Sequence, residues 1–196
     1  MSRSGRFREA VRRLHAEKDA AYRDSWKRRG ELISVMANIA RKVDRLEYAA
    51  RGASASQDET VLDTAVDLLV YSLKYQTYLA DHHHEIAAFL FAGNDIAAYS
   101  DGPAGFELLL DSLDLRSLVS GEKPPTFAEA SRAAVQSFAE LERCFPDGQP
   151  PAPAGERLKQ AITLTASAVQ VVAAIRHQAP ALVDTFIATW GGQDAG

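Results

Sequence analysis

Asp44 and Glu47 stand three residues apart, and Asp63 and Asp67 four apart, within segments whose apolar residues recur at helical spacing. Those intervals put each pair on neighbouring rungs of one helical face. The stretch Gly52-Ala53-Ser54-Ala55-Ser56-Gln57 between them reads as a turn, with Asp58 or Ser56 as the next N-cap. Counted outward from that turn, Glu47 and Asp63 lie about 7–8 Å along their axes, and Asp44 and Asp67 about 12–14 Å. The two pairs share a height. If their faces converge, four carboxylates form an oxygen-only nest suited to Mg²⁺.

The later pair belongs to a longer stripe: Glu59, Asp63, Asp67, Tyr71, Lys74 and Tyr78. Carboxylates, phenols and an ammonium in one row suit a metal-bound polyphosphate. A solvated face would tolerate the same residues, because like charges four apart cost only about 0.2–0.5 kcal/mol. On the preceding helix, Asp44 and Glu47 flank one edge of the core stripe, whereas Lys42 and Arg45, with Glu31 and Asn38, flank the other. A hairpin turns only one edge toward its next helix. Either the acids face Asp63 and Asp67, or Lys42 and Arg45 do. Four carboxylates brought together would require a cation, since each pair at about 4 Å repels by about 4 kcal/mol at an effective dielectric of about 20.

Other motifs exclude more than they assign. Trp26 lies among Arg23, Lys27, Arg28 and Arg29, a setting for base or phosphate contact or for a loop anchor amid solvated cations. His82, His83 and His84 are consecutive, so on a helix they point about 100° apart and cannot all clasp one ion. Gly102-Pro103-Ala104-Gly105 lacks the lysine and spacing of a phosphate loop. No serine or cysteine nucleophile motif occurs, so hydrolysis here would rely on metal-activated water.

The elements that position these residues read as helices throughout. Sustained period-two alternation is absent, and alanine is abundant. Residues 4–21 are basic and amphipathic, with Phe7, Val11, Leu14 and Lys18 along one side. Residues 31–50 place Leu32, Val35, Met36, Ile39, Val43 and Leu46 on a stripe, and residues 58–80, extending as far as Phe91, align Leu62, Val66, Leu69, Leu73, Gln76 and Ala80. One short helix is predicted near 104–113. Thr126-Phe127-Ala128-Glu129 is a capping box opening a helix to about Phe145. Residues 146–155 form a stiff proline-rich connector, 156–178 a long helix, and Pro180 suits the first turn of a last helix to Trp190. The expected fold is an all-α helical bundle, with a hairpin core over residues 1–122 and a C-terminal helical half, 123–196, packed on the same core.

The chain has 196 residues, is 46% hydrophobic and carries a net charge of −4. That charge divides unevenly, +7 over residues 1–51 and −11 over the remainder. A basic first quarter suits an anionic partner, either nucleic acid or the phosphates of a nucleotide, or attraction between the two parts of the fold. Arg3, Arg6, Arg8, Arg12 and Arg13 are the candidates for nucleic-acid contact. The lone Cys144 excludes an intrachain disulfide and a cysteine-based zinc site. No apolar run approaches the roughly 20 residues of a membrane span, and no apolar stretch follows the basic N-terminus as in a secretory signal. The expectation is cytoplasmic, with no membrane partner.

Tyr22–Trp26, the run Asn38-Ile39-Ala40-Arg41-Lys42-Val43-Asp44-Arg45-Leu46-Glu47, and Asp63-Thr64-Ala65-Val66-Asp67-Leu68-Leu69-Val70-Tyr71 resemble the nucleotide modification-associated group of helical proteins. That group is similar to the MazG and dimeric dUTPase class of all-α nucleoside triphosphate pyrophosphohydrolases. The resemblance covers about residues 7–80 and implies a MazG-like antiparallel hairpin. It implies Mg²⁺ held by Asp44, Glu47, Asp63 and Asp67, with Asp63 and Asp67 in the catalytic centre and Glu59 orienting the attacking water. Lys42, Arg45, Lys74 and Arg29 would neutralise phosphate, and Trp26 or Tyr71 would pack on the base. Pyrophosphate would be released from a nucleoside triphosphate or modified nucleotide, in a homo-oligomer. Another alignment sets Asn38, Lys42 and Arg45 over the class's catalytic acids and implies an altered or lost hydrolase. The matching alternative is a non-catalytic nucleotide-binding or protein-interaction module.

Overall fold

From Leu62 to Ala80 nearly every side chain is buried, and this stretch forms the long helix Val61–His82, against which much of the molecule packs. The structure is a computed structural model and describes residues 2–22, 30–52, 60–94, 96–119 and 123–191. Among these are eight helices: α1 (Arg3–Tyr22), α2 (Glu31–Ala50), α3 (Val61–His82), α4 (His84–Leu90), α5 (Ala104–Ser112), α6 (Phe127–Glu142), α7 (Ala154–Gln178) and α8 (Pro180–Trp190), with a 3₁₀ turn at Arg116–Leu118. No strand occurs among the described residues, and the fold is an all-α bundle.

Two hairpins make the core. α2 packs on α3, α3 on α7, α7 on α6, and α6 back on α2, closing a ring of four helices. Val35, Ile39, Val43 and Leu46 from α2 meet one continuous apolar interior shared with Leu69, Leu73, Ala134, Leu141, Leu164 and Val172. The C-terminal helices therefore complete the bundle begun by the first hairpin. α7 is long and apolar enough to cross a membrane by length and composition, but 61% of that window is buried inside the bundle. α1 lies outside the ring, against α8, α5 and α3.

Local chemistry sets the helix boundaries. Thr60 is the N-cap of α3: its hydroxyl accepts from Asp63 N at 3.1 Å, and Asp63 Oδ2 accepts from Thr60 N at 3.0 Å. This reciprocal box replaces the expected caps, Ser56 and Asp58, which lie outside the described residues. The capping box at Thr126 and Glu129 forms as the spacing predicts, and its bonds hold the Glu129 carboxyl below the usual carboxylate range. Pro180 occupies the first turn of α8. The continuous helix expected as far as Phe91 is broken at His83, whose extended backbone caps α3 and leads into α4. That break separates the three histidines. His82 Nδ1 meets Tyr78 O at 2.9 Å, while His83 Nε2 receives the Arg157 guanidinium at 2.9 Å. Arg157 also donates to Ala152 O at 3.0 Å, tying the proline-rich connector to the bundle. Cys144 is buried, and burial pushes its thiol up, consistent with a packing role.

Candidate functional site

The edge of α2 that faces α3 is the cationic one. Lys42 is only 3% exposed, and its Nζ lies 2.7 Å from Asp67 Oδ2. Asp67 Oδ1 receives a second ammonium, Lys18 Nζ, also at 2.7 Å. Three helices thus converge on one carboxylate. A buried lysine demands such a partner, because an isolated ammonium in the interior costs several kcal/mol. Burial pulls the Lys42 ammonium below its usual lysine value; Asp67 opposes that shift, and the fields of Arg41 and Arg45 add to it. About two turns along α3, Lys74 Nζ stands 3.8 Å from Asp19 Oδ1 of α1. Lys18 and Lys42 thus meet Asp67, and Lys74 approaches Asp19.

His15 lies beside this cluster on α1. It is 3% exposed and stacks on Phe106 at 3.8 Å between ring centroids, with 13° between the planes. Neither ring nitrogen has a hydrogen-bond partner among the described residues. Burial, with the nearby Lys74 charge, lowers its pKa to about 3, so the imidazole is neutral at physiological pH.

The acids named from spacing are distributed differently from the expected nest. Asp44 is exposed on α2. Glu47 pairs with Arg51 at 2.5 Å and faces a groove shared with α6. Asp63 Oδ2 is engaged by Thr60 N and, at 2.7 Å, by Thr60 Oγ1. Asp67 sits between its two lysines. The physical reason is the rotational phase of α2: Val35, Ile39, Val43 and Leu46 seat it in the core with Lys42 on the α3 side and Glu47 on the α6 side. Among the described residues no three His, Cys, Asp or Glu side chains gather where they would hold a metal ion. Tyr71 packs partly buried against the core, and Arg45 is exposed beside Asp44. Glu59, Trp26 and Arg29 lie outside the described residues.

Two members of the cluster, Lys18 and His15, were readable only indirectly. Lys18 prolongs the apolar series Phe7, Val11, Leu14, and a cation ending a core stripe calls for a counter-ion on the facing helix. Asp67, set within Ala65-Val66-Asp67-Leu68-Leu69, is the complementary signal. No family model matches the chain, and no curated protein or solved structure does either.

Proposed function

We propose that the protein binds a nucleotide, or a closely related phosphate-bearing small molecule, through the face formed by Lys18, Lys42 and Lys74, and that binding needs no catalytic metal. The observation that supports this reading is the double salt bridge of Asp67 to Lys18 and Lys42. It sets two ammoniums beside Asp67, Lys18 at the surface and Lys42 beneath it, where the hydrolase reading needs carboxylates. Lys18 is the accessible member, with its side chain 47% exposed, while Lys42 is sealed beneath it. A phosphate oxygen reaching Lys18 exchanges one anionic partner for another, a charge-assisted bond of similar geometry. The fields of Arg41 and Arg45 reach Lys42 and add positive potential beneath Lys18.

The test is calorimetric titration of the full chain with nucleoside triphosphates, once with Mg²⁺ and once with a chelator. Binding that persists in chelator and weakens about tenfold in Lys18→Gln, a loss of about 1.4 kcal/mol, supports the proposal. Equal affinity in Lys18→Gln, or no binding to any nucleotide, rejects it.

A second reading is a Mg²⁺-dependent pyrophosphohydrolase completed by a companion chain. It is favoured by Asp63 and Asp67 standing one turn apart on α3, and by the outer face of α2, where Asp44 is accompanied by Ile33 and Tyr48, 68% and 59% exposed. Pyrophosphate release that needs Mg²⁺ and vanishes in Asp67→Asn, with helicity retained, would favour this reading over the first.

A further inference from the structure

The groove that receives Glu47 has its own chemistry. It holds about 220 Å³ between the C-terminal end of α2 and the second turn of α6, and its polar wall is Glu47, Arg51, Ser131 and Arg132. Drug-sized ligand sites usually enclose about 300–1,000 Å³, so this one suits a single small group. Ser131 is 1% exposed, yet its hydroxyl has no hydrogen-bond partner among the described residues. Serines elsewhere in these helices solve that problem internally: Ser72, Ser112 and Ser137 each donate to a carbonyl of their own helix at 2.8 Å. Ser131 leaves this inexpensive option unused and contributes to the groove wall instead.

We infer that this groove is a binding site for a phosphate group, held by the guanidiniums of Arg51 and Arg132, with the Ser131 hydroxyl, closed to solvent in this structure, uncovered as a third donor when phosphate enters. Arg51 is 71% exposed and its Glu47 partner 41% exposed, so their ion pair is weak in water and readily opened by a competing anion. Guanidinium forks match tetrahedral oxyanions, offering paired N–H groups to two oxygens each. A carboxylate has two oxygens, which one fork satisfies, and Glu47 already supplies one to Arg51. A phosphate has oxygens enough for two forks and a hydroxyl. The N–H groups of Thr126 and Glu129 are engaged by the capping box of α6.

This site is separate from the Lys18 face, because Glu47 and Lys42 occupy opposite edges of α2. The experiment is NMR of the full chain labelled on arginine nitrogen, titrated with inorganic phosphate, with glycerol phosphate, and with chloride at equal ionic strength. The Nε–H signals of Arg51 and Arg132 should shift saturably with phosphate and little with chloride. Tighter binding of glycerol phosphate would indicate a phosphate carried on a larger molecule, and equal binding the free anion. Arg132→Gln should weaken phosphate about tenfold, and Ser131→Ala about threefold. Ser131→Ala should also melt higher than the parent in phosphate-free buffer, since the orphaned hydroxyl is gone. Lys18→Gln should leave the Arg132 titration unchanged. Signals that ignore phosphate, or follow chloride equally, would overturn the inference. So would a Ser131→Ala chain with parental phosphate affinity.

Discussion

α1 carries cations at both ends, and the fold treats them in opposite ways. At the N-terminal end, Arg3 pairs with Asp184 of α8, and Arg12 reaches Asp111 of α5 and Glu9, each at 2.6 Å. Arg13 binds Glu9 at 2.9 Å, and Arg8 donates to Leu110 O and Leu113 O. These guanidiniums fasten α1 to its neighbours, and partners are plentiful. At the C-terminal end, Lys18 and Lys42 converge on the one carboxylate of Asp67, and Lys74 stands near Asp19. A stretch can be rich in arginine and still offer little to an outside anion. What marks a candidate anion site is a convergence of cations on one carboxylate, with one of them already desolvated.

The comparison is broken most directly at Asp67. Asp67→Ala removes the carboxylate 2.7 Å from buried Lys42, and removing one partner of a buried ion pair costs about 3–5 kcal/mol. Urea denaturation should show that loss. Lys42→Met, which removes the buried charge and leaves Asp67 with Lys18, should cost much less, because replacing a buried ion by an apolar side chain of similar length is often near neutral. Equal losses in the two variants would mean that Lys42 matters for packing and that the carboxylate does not organise this face.

His15 provides the next largest effect, through pH. Its folded pKa, about 3, lies below the unfolded value of 6.5, so the unfolded chain binds the proton first. Stability from the neutral imidazole is complete above about pH 6.5 and is lost as pH falls toward 3. At pH 4 the loss attributable to this residue is about 3 kcal/mol. His15→Leu should flatten that part of the stability profile while leaving the dependence below pH 3 in place. An unchanged profile would remove His15 from the account.

The helices were legible because their signals are local. Apolar period, the Thr126 capping box and Pro180 each act within one or two turns, and the corresponding helices form where those residues place them. The start of α3 is also written in the sequence, as Thr60 three residues before Asp63, but an aspartate at that spacing suits a cap and a metal ligand alike. The site was harder to read for a different reason. Residue spacing fixes which side chains share a face, whereas the rotation of α2 about its axis decides which face meets α3, and that rotation is set by packing against both α3 and α6. The spacing sets Lys42 and Glu47 on opposite edges of α2. Only the tertiary arrangement chose between them, and it turned Lys42 toward Asp67.

The smallest expected effect is also the sharpest control. Arg12→Gln removes a cation from the same helix as Lys18, with the same formal change in charge. Its side chain is 26% exposed and that of its partner Asp111 55%, so the loss of stability should stay within about 1 kcal/mol. The six residues from Arg12 to Lys18 correspond to about 9 Å along the helix, already beyond the Debye length of about 8 Å at physiological salt. Nucleotide affinity at that salt should therefore change less than about twofold, against about tenfold for Lys18→Gln. At about 0.01 M salt, where the screening length grows to about 30 Å, the two variants should draw closer together. If Arg12→Gln weakened nucleotide binding as much as Lys18→Gln at physiological salt, the whole basic quarter would be acting as a diffuse field. The distinction between the two ends of α1 would then have no bearing on ligand recognition.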